Sequence, residues 1–282
     1  MLSASRSLVL SSESSPELPR VPALGALYQI GCRPRQGEVI MVAGRSGTGK
    51  SSFALWWVSQ MNLPTLYFSA DMSSYQASIK LACSQLSMTT DEVEERLNKG
   101  GRHRAEVLKA LEHLRMTFSF GAISWRGIDA ELEAYVELHN AFPKVIVLDN
   151  LMDIEGTASD YTAQMDAMQN ISDLSRATGA TVLVLHHASD KSWEAKADPW
   201  KPPSRDQVKG GMSEKPELSI SIAIDPKSYD CNLAVIKQRM GPCDPTAGSY
   251  VTITANPAMT QYHPKVYETY SAPTTFTIGE ES

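Results

Sequence analysis

Apolar residues fall in short blocks along the chain, separated by longer stretches with helical spacing. The runs 38–43 (Glu-Val-Ile-Met-Val-Ala), 64–70, 144–149 and 180–186 are apolar or rich in β-branched and aromatic residues. They predict buried strands. Between them, helical patterns follow Lys50 and cover 73–86, 90–115 (broken at Gly100-Gly101), 128–140 and 161–178, with a short strand at 116–120. Such alternation predicts an α/β fold with a mostly parallel central sheet flanked by helices on both faces.

The texture changes after His187. Residues 188–216 are polar and carry Pro199, Pro202, Pro203, Gly210 and Gly211, the profile of a functional or disordered loop. Strand-like runs at 218–224, 232–238 and 249–254 then predict antiparallel hairpins closing the sheet. The expected organisation is a flexible Ser/Glu/Pro-rich arm at 1–21, a catalytic domain at 22–256 and a tail at 257–282.

Composition narrows the function. Net charge is −6 over 282 residues, so the molecule is not a general polycation, and any nucleic-acid contact must be local or shared among copies. Cys32, Cys83, Cys231 and Cys243 are scattered and form no C-x-x-C pair, which predicts free thiols rather than a metal site. No apolar stretch approaches about 20 residues, so no membrane partner is expected. The N-terminus does not read as a signal peptide, and a cytoplasmic protein is the expectation.

The most specific chemistry is at 44–51, Gly-Arg-Ser-Gly-Thr-Gly-Lys-Ser, which fits G-x-x-x-x-G-K-[ST] between a strand and a helix. Loops of this kind turn backbone amides inward around phosphate oxygens, and the helix start adds its positive dipole end. The cofactors implied are ATP and Mg²⁺. Gly44, Arg45, Ser46, Gly47, Thr48, Gly49, Lys50, Ser51 and Ser52 are the candidate binding residues. Lys50 would contact the β- and γ-phosphates, and Ser51 the magnesium. The bland alternative is a glycine-rich turn that binds nothing.

Three strand ends extend the site. The strand 145–149 ends in Asp149, a second magnesium ligand in the Walker B pattern. The strand 64–70 runs into Asp71. A place beside the P-loop strand would put that carboxylate near the γ-phosphate, to orient water; the alternative is a helix N-cap, since Asp71 and Ser73 both precede a helix. The strand 180–186 leads to His186-His187. They could sense or hydrogen-bond the γ-phosphate or ligate a metal; adjacent side chains on a strand face opposite ways, so one histidine is expected to face the nucleotide while the other packs.

Taken together, Gly37-Glu38, the P-loop with Ser52-Phe53-Ala54-Leu55, Phe68-Ser69-Ala70-Asp71-Met72-Ser73 and Ile236-Lys237-Gln238-Arg239-Met240-Gly241-Pro242 resemble the RecA-like motor domain of DnaB-type replicative helicases. The resemblance covers roughly residues 22–255. It implies a RecA-like P-loop NTPase fold and a homo-oligomeric, hexameric ring. It also implies that Lys237 and Arg239 reach the γ-phosphate in a neighbouring subunit's site. An exposed basic β-edge is the alternative reading of these two residues. Asp71 stands where the family usually has Glu, and His187 aligns with the γ-phosphate sensor position, where Gln is common. Residues 1–21 are too short for the separate N-terminal helical domain of those helicases, so a stand-alone, phage-like motor is expected.

The segments 151–161 and 188–216 correspond to the channel-facing loops of such rings. The first is acidic. The second mixes Lys191, Lys196, Lys201, Arg205, Lys209 and Lys215 with Trp193 and Trp200, suited to single-stranded DNA, although its acids nearly cancel its charge. Three functions remain open. They are an ATP-driven DNA helicase or translocase, a RecA/RadA-type recombinase or mediator, and a non-motor ATP-switched binding protein.

Overall fold

The computed structural model describes residues 3, 5–6, 15–157, 160–191 and 198–265. Its strands are β1 (Val39–Gly44), β2 (Thr65–Ser69), β3 (Met116–Phe120), β4 (Val145–Asp149), β5 (Thr181–His187), β6 (Leu218–Ile224), β7 (Asp230–Gln238), β8 (Val251–Asn256) and β9 (Gln261–Pro264). They form one sheet in the order β3-β2-β4-β5-β1-β6-β7-β8-β9. The pairs from β3 to β6 are parallel and those from β6 to β9 antiparallel, so the expected architecture is present.

β1 lies centrally between β5 and β6, with Gly44 in register with His187 and with Ile222. All six of its residues are buried, which explains why its apolar run is unbroken rather than alternating. One face packs against α1 (Gly25–Gln29) and α2 (Lys50–Met61) through Leu27, Phe53, Trp57 and their neighbours. The other packs against α6 (Trp125–His139) and α7 (Tyr161–Thr178) through Ile128, Leu132, Met168 and Ile171. α3 (Ser74–Leu86), α4 (Thr90–Lys99) and α5 (Gly101–Glu112) carry a smaller core around Ile79, Val93 and Val107.

Four expectations are corrected. The sheet does not end near 254: β9 pairs with β8, and Tyr262 packs on Phe53 and Trp56 at ring-centroid distances of 5.3 and 4.7 Å. The boundary expected at 256 therefore falls inside the sheet, because Tyr262 buries an aromatic ring against α2. The expected arm is anchored over 16–21: Leu18 and Val21 are buried, and Glu17 pairs with Arg33. The segment 188–216 is not one solvated loop. Its described parts are 188–191 and 198–216, and the latter contains 3-10 turns at Arg205–Gln207 and Lys209–Glu214, with Val208 and Met212 buried in the core. Finally, β2 is not beside β1, since β4 and β5 stand between them. The expectations placed on Trp193 and Lys196 lie outside the described residues.

Candidate active site

The P-loop joins β1 to α2 at the carboxyl edge of the parallel strands, where open α/β sheets place their ligands. Gly47 and Gly49 take φ of +73° and +76°, in the left-handed region that glycine enters without strain. Gly44 has no room for a Cβ, which would lie 2.8 Å from Thr48 Oγ1 and 2.9 Å from the Ile222 carbonyl.

Lys50 is 7% exposed, and its ammonium donates to the carbonyls of Gly44 (3.0 Å) and Arg45 (2.9 Å). Among the described residues no carboxylate lies within ion-pair distance of it. Burial pushes its pKa down to about 8, against the opposing fields of Asp149 and Asp190. A buried cation without an ionic partner is costly. Here it is the first residue of a helix whose N-cap is Gly49 and which therefore has no capping side chain. The first amides of any helix lack intrahelical partners. Buried cation and open amides together suit an anion such as a phosphate chain.

Next to this anion site is an oxygen pair. Ser51 Oγ donates to Asp149 Oδ1 at 2.9 Å, and the Tyr67 hydroxyl donates to Asp149 Oδ2 at 3.0 Å. Asp149 is 2% exposed, and burial pushes its carboxyl up to about 6 although both hydrogen bonds oppose the shift. Hydroxyl and carboxylate oxygens are the donors a magnesium ion takes, and its charge would offset the cost of ionising Asp149. The same cost gives a test. Asp149→Asn should raise the melting temperature by a few degrees in EDTA at pH 7.5. Removing a carboxylate displaced from 3.8 to about 6 returns about 3 kcal/mol. The unmatched second hydroxyl takes back about 1 kcal/mol. The sign follows from the raised pKa. The folded wild type binds a proton more tightly than the unfolded chain between pH 4 and 6, so the wild-type disadvantage disappears as pH falls through that window. Thermal melts at pH 7.5 and pH 4.5 check this.

Asp71 is exposed in the bend after β2, two residues beyond Ser69, which is in register with Asp149. Its charge acts on Asp149 at the end of the neighbouring strand β4, on His187 one strand further, and on Lys50 although β4 and β5 stand between β2 and β1. The helix cap belongs to Ser73, whose side chain forms a capping box with Gln76, so the capping alternative for Asp71 falls away. His186 and His187 part as alternation requires. His186 is fully buried and contacts the Lys209 carbonyl at 2.9 Å, and burial lowers its pKa to about 4. His187 is half-buried, and its pKa is lowered by burial and then by the fields of Lys50 and Lys209.

The remaining expected residues are engaged as follows. The Thr48 hydroxyl donates to the Arg45 carbonyl at 2.8 Å, and Ser46 is exposed. Ser52 Oγ accepts from Lys80 at 3.0 Å. The Arg45 side chain, expected among the phosphate ligands, is committed elsewhere, to the carbonyls of Pro199 and Lys201 and to Gln207. Lys237 and Arg239 are absent from this site. β7 runs antiparallel, so Gln238 pairs with Leu218, which pairs with Ile40 at the opposite end of β1. Four residues of strand, roughly 13 Å, separate that row from Gly44. There Lys237 donates to the Glu214 carbonyl at 2.5 Å and to that of Pro216, while Arg239 lies 3.7 Å from Glu217.

Sequence reasoning passed over Tyr67 and Lys80. Tyr67 carried a usable hint: a buried tyrosine in an apolar strand needs a partner for its hydroxyl. No comparable hint marked Lys80, whose serine partner lies 28 residues away.

This strand–loop–helix with a Ser51–Asp149 pair, on a parallel sheet extended by antiparallel strands, defines a RecA-like P-loop NTPase fold. The chain belongs to the AAA domain family, whose model matches residues 7–221. It is similar to the Gene 65 protein of Mycobacterium phage L5, 27% identical over 261 residues that cover 90% of this chain and 95% of the relative. It also matches the Gene 65 protein of Mycobacterium phage D29, 27% identical over 76% of this chain and 94% of that one. Among solved structures, one described as an ATPase domain superposes with a TM-score of 0.72 at 14% identity, covering 92% of this chain and 95% of that one. A DnaB-like replicative helicase, solved in a study of its interactions with primase, gives 0.73 at 13% identity. There the match covers 92% of this chain and 65% of the helicase. The fold is thus that of DnaB-like helicase ATPase domains.

Proposed function

We propose that this chain is an ATP-hydrolysing motor that acts on single-stranded DNA as a ring of identical subunits, each ATP site being completed by a neighbour. The observation that carries the reading is the distance between the two halves of the chemistry. The P-loop lies at one edge of the sheet, while Lys237 and Arg239 lie at the other and cannot reach it within one chain. In a head-to-tail ring, that edge meets the next subunit's P-loop.

Within such a site the P-loop amides and Lys50 hold the β- and γ-phosphates. Ser51 and Asp149 would hold magnesium, which would supply charge neutralisation to the phosphates. Tyr67 fixes the Asp149 carboxylate through its hydrogen bond. Asp71 orients the attacking water, and its shorter reach relative to Glu sets the required geometry. His187 hydrogen-bonds the γ-phosphate and reports its loss. Lys237 and Arg239 from the neighbour stabilise charge on the transferred phosphoryl group, Arg239 through its forked donors. The DNA is met by the segment after β5, where Lys191 and Lys209 are exposed, and its grip is multiplied by the copies around the ring.

Mass in solution and ATPase rate, each with and without ATP and single-stranded DNA, test this reading. A multiple of the chain mass with ATP, and a rate raised by DNA, is the expected outcome. A chain that stays monomeric and ignores DNA would refute it.

A further inference from the structure

Arg45 fills a variable position of the P-loop, yet it is 6% exposed and its guanidinium is spent on another segment. Its Nη1 donates to the carbonyls of Pro199 (2.9 Å) and Lys201 (3.0 Å), and its Nη2 to Gln207 Oε1 (3.3 Å). Its Nε lies 3.9 Å from Asp190, a long ion pair. Four points of the segment after β5 thus converge on one side chain. The backbone of Arg45 meanwhile faces the other way: its carbonyl accepts from the Lys50 ammonium and the Thr48 hydroxyl. A second tie runs from the sensor strand. His186 contacts the Lys209 carbonyl, and Ala188 bridges to Val208.

We propose that Arg45 is a positioning residue that clamps the segment after the sensor strand to the P-loop, so that movement of the phosphate-binding loop is passed to that segment. The chemistry needs arginine. Only a planar fork of donors satisfies carbonyls at 199 and 201 and an amide oxygen at 207 together; a lysine ammonium on a flexible stem lacks that fixed geometry. The arrangement has the logic of a shared element. Lys50 bonds to the Arg45 carbonyl, so a ligand that draws the ammonium toward phosphate loosens one bond to the residue holding the segment. Tension on the segment acts on the same residue in return. The clamp itself stands on geometry. Its role in transmitting nucleotide state to DNA rests on the proposed function.

The test uses the full chain and reads the segment directly, by the rate of tryptic cleavage after Lys191 and Lys209, both exposed, under native conditions. Arg45→Met keeps the volume of the stem and removes the donors. It is expected to raise cleavage at these two bonds by roughly tenfold to a hundredfold, with other sites unchanged. Gln207→Leu, on the segment side, should move the same way by a smaller factor, and Arg45→Lys should fall between wild type and Arg45→Met. Unaltered cleavage in Arg45→Met overturns the clamp. Should that variant not fold, unaltered cleavage in Gln207→Leu overturns it instead. In a second arm, fluorescence anisotropy measures single-stranded DNA affinity with and without a non-hydrolysable ATP analogue. A nucleotide-dependent affinity in wild type that is lost in Arg45→Met supports transmission, and one that persists in the variant refutes it. If wild type itself binds no DNA, the motor reading fails while the cleavage result still decides the clamp.

Discussion

Lys50→Met removes ATP hydrolysis, lowering turnover by at least about a hundredfold, and at the same time raises the melting temperature in nucleotide-free buffer. Both halves follow from one observation. The ammonium is buried among carbonyls with no carboxylate partner among the described residues, and burial brings its pKa down from 10.5 to about 8. Holding it charged at neutral pH costs the fold about 3 kcal/mol. A methionine of similar length keeps the packing of the stem and releases that cost, which for a domain of this size corresponds to several degrees. The sign is set by the depressed pKa. The penalty is present in full below about pH 8 and fades as pH rises toward 10.5, where the unfolded chain also loses its proton. A residue that is destabilising to the fold and indispensable to turnover is held there for its ligand. Melting at pH 7 beside ATPase rates decides the point. A destabilised variant, or one with undiminished turnover, removes Lys50 from the site.

Arg239→Ala leaves nucleotide affinity within about threefold of wild type but lowers turnover by about a thousandfold, the scale expected for an arginine acting on a transferring phosphoryl group. The stability cost is small. Arg239 is exposed, and its contacts are a carbonyl at 3.3 Å and a glutamate at 3.7 Å, both weak in water. Lys237 behaves differently in one respect. Burial, and then the neighbouring Arg239 charge, pull its ammonium down to about 8. Arg239→Ala therefore also raises the Lys237 pKa, and any activity remaining in the variant should persist to higher pH than a lysine at about 8 would allow. The checks are rate against pH for the variant, and nucleotide binding by a fluorescent analogue. An affinity loss matching the rate loss contradicts a role in the chemical step.

Much of this architecture was legible because both faces of the central strands are covered. β1, β4 and β5 are buried along their length, with only His187 partly open, and so appear as unbroken apolar runs. The P-loop was legible for a related reason: a strand, three glycines and a helix start constrain one another within a short stretch, and Gly47 and Gly49 do take the positive φ that explains them. Sheet order was not legible. Nothing in residues 64–70 says that two strands intervene between β2 and β1, since a buried strand looks the same whichever neighbour it has. β9 was missed because four residues after a turn carry little periodicity; its anchor, Tyr262, packs on α2, far away in sequence. Residues 198–216 read as loop because they are polar and interrupted by prolines and glycines. Their order comes from tertiary partners, among them Arg45 and His186, that local pattern does not reveal. Tyr67 and Arg45 share that limitation: their partners lie 82 and 156 residues away.

The claim most in need of a direct test is that one site is built from two chains. Lys50→Ala and Arg239→Ala, each inactive alone, can be mixed in equal amounts under assembling conditions and their ATPase rate followed. Interfaces that join the Lys50 of one variant to the Arg239 of the other are complete. The shared-site account predicts recovery to as much as about a quarter of the wild-type rate, the share of such interfaces in a random ring. A mixture that hydrolyses no more than the sum of its two parts, although it assembles, contradicts it.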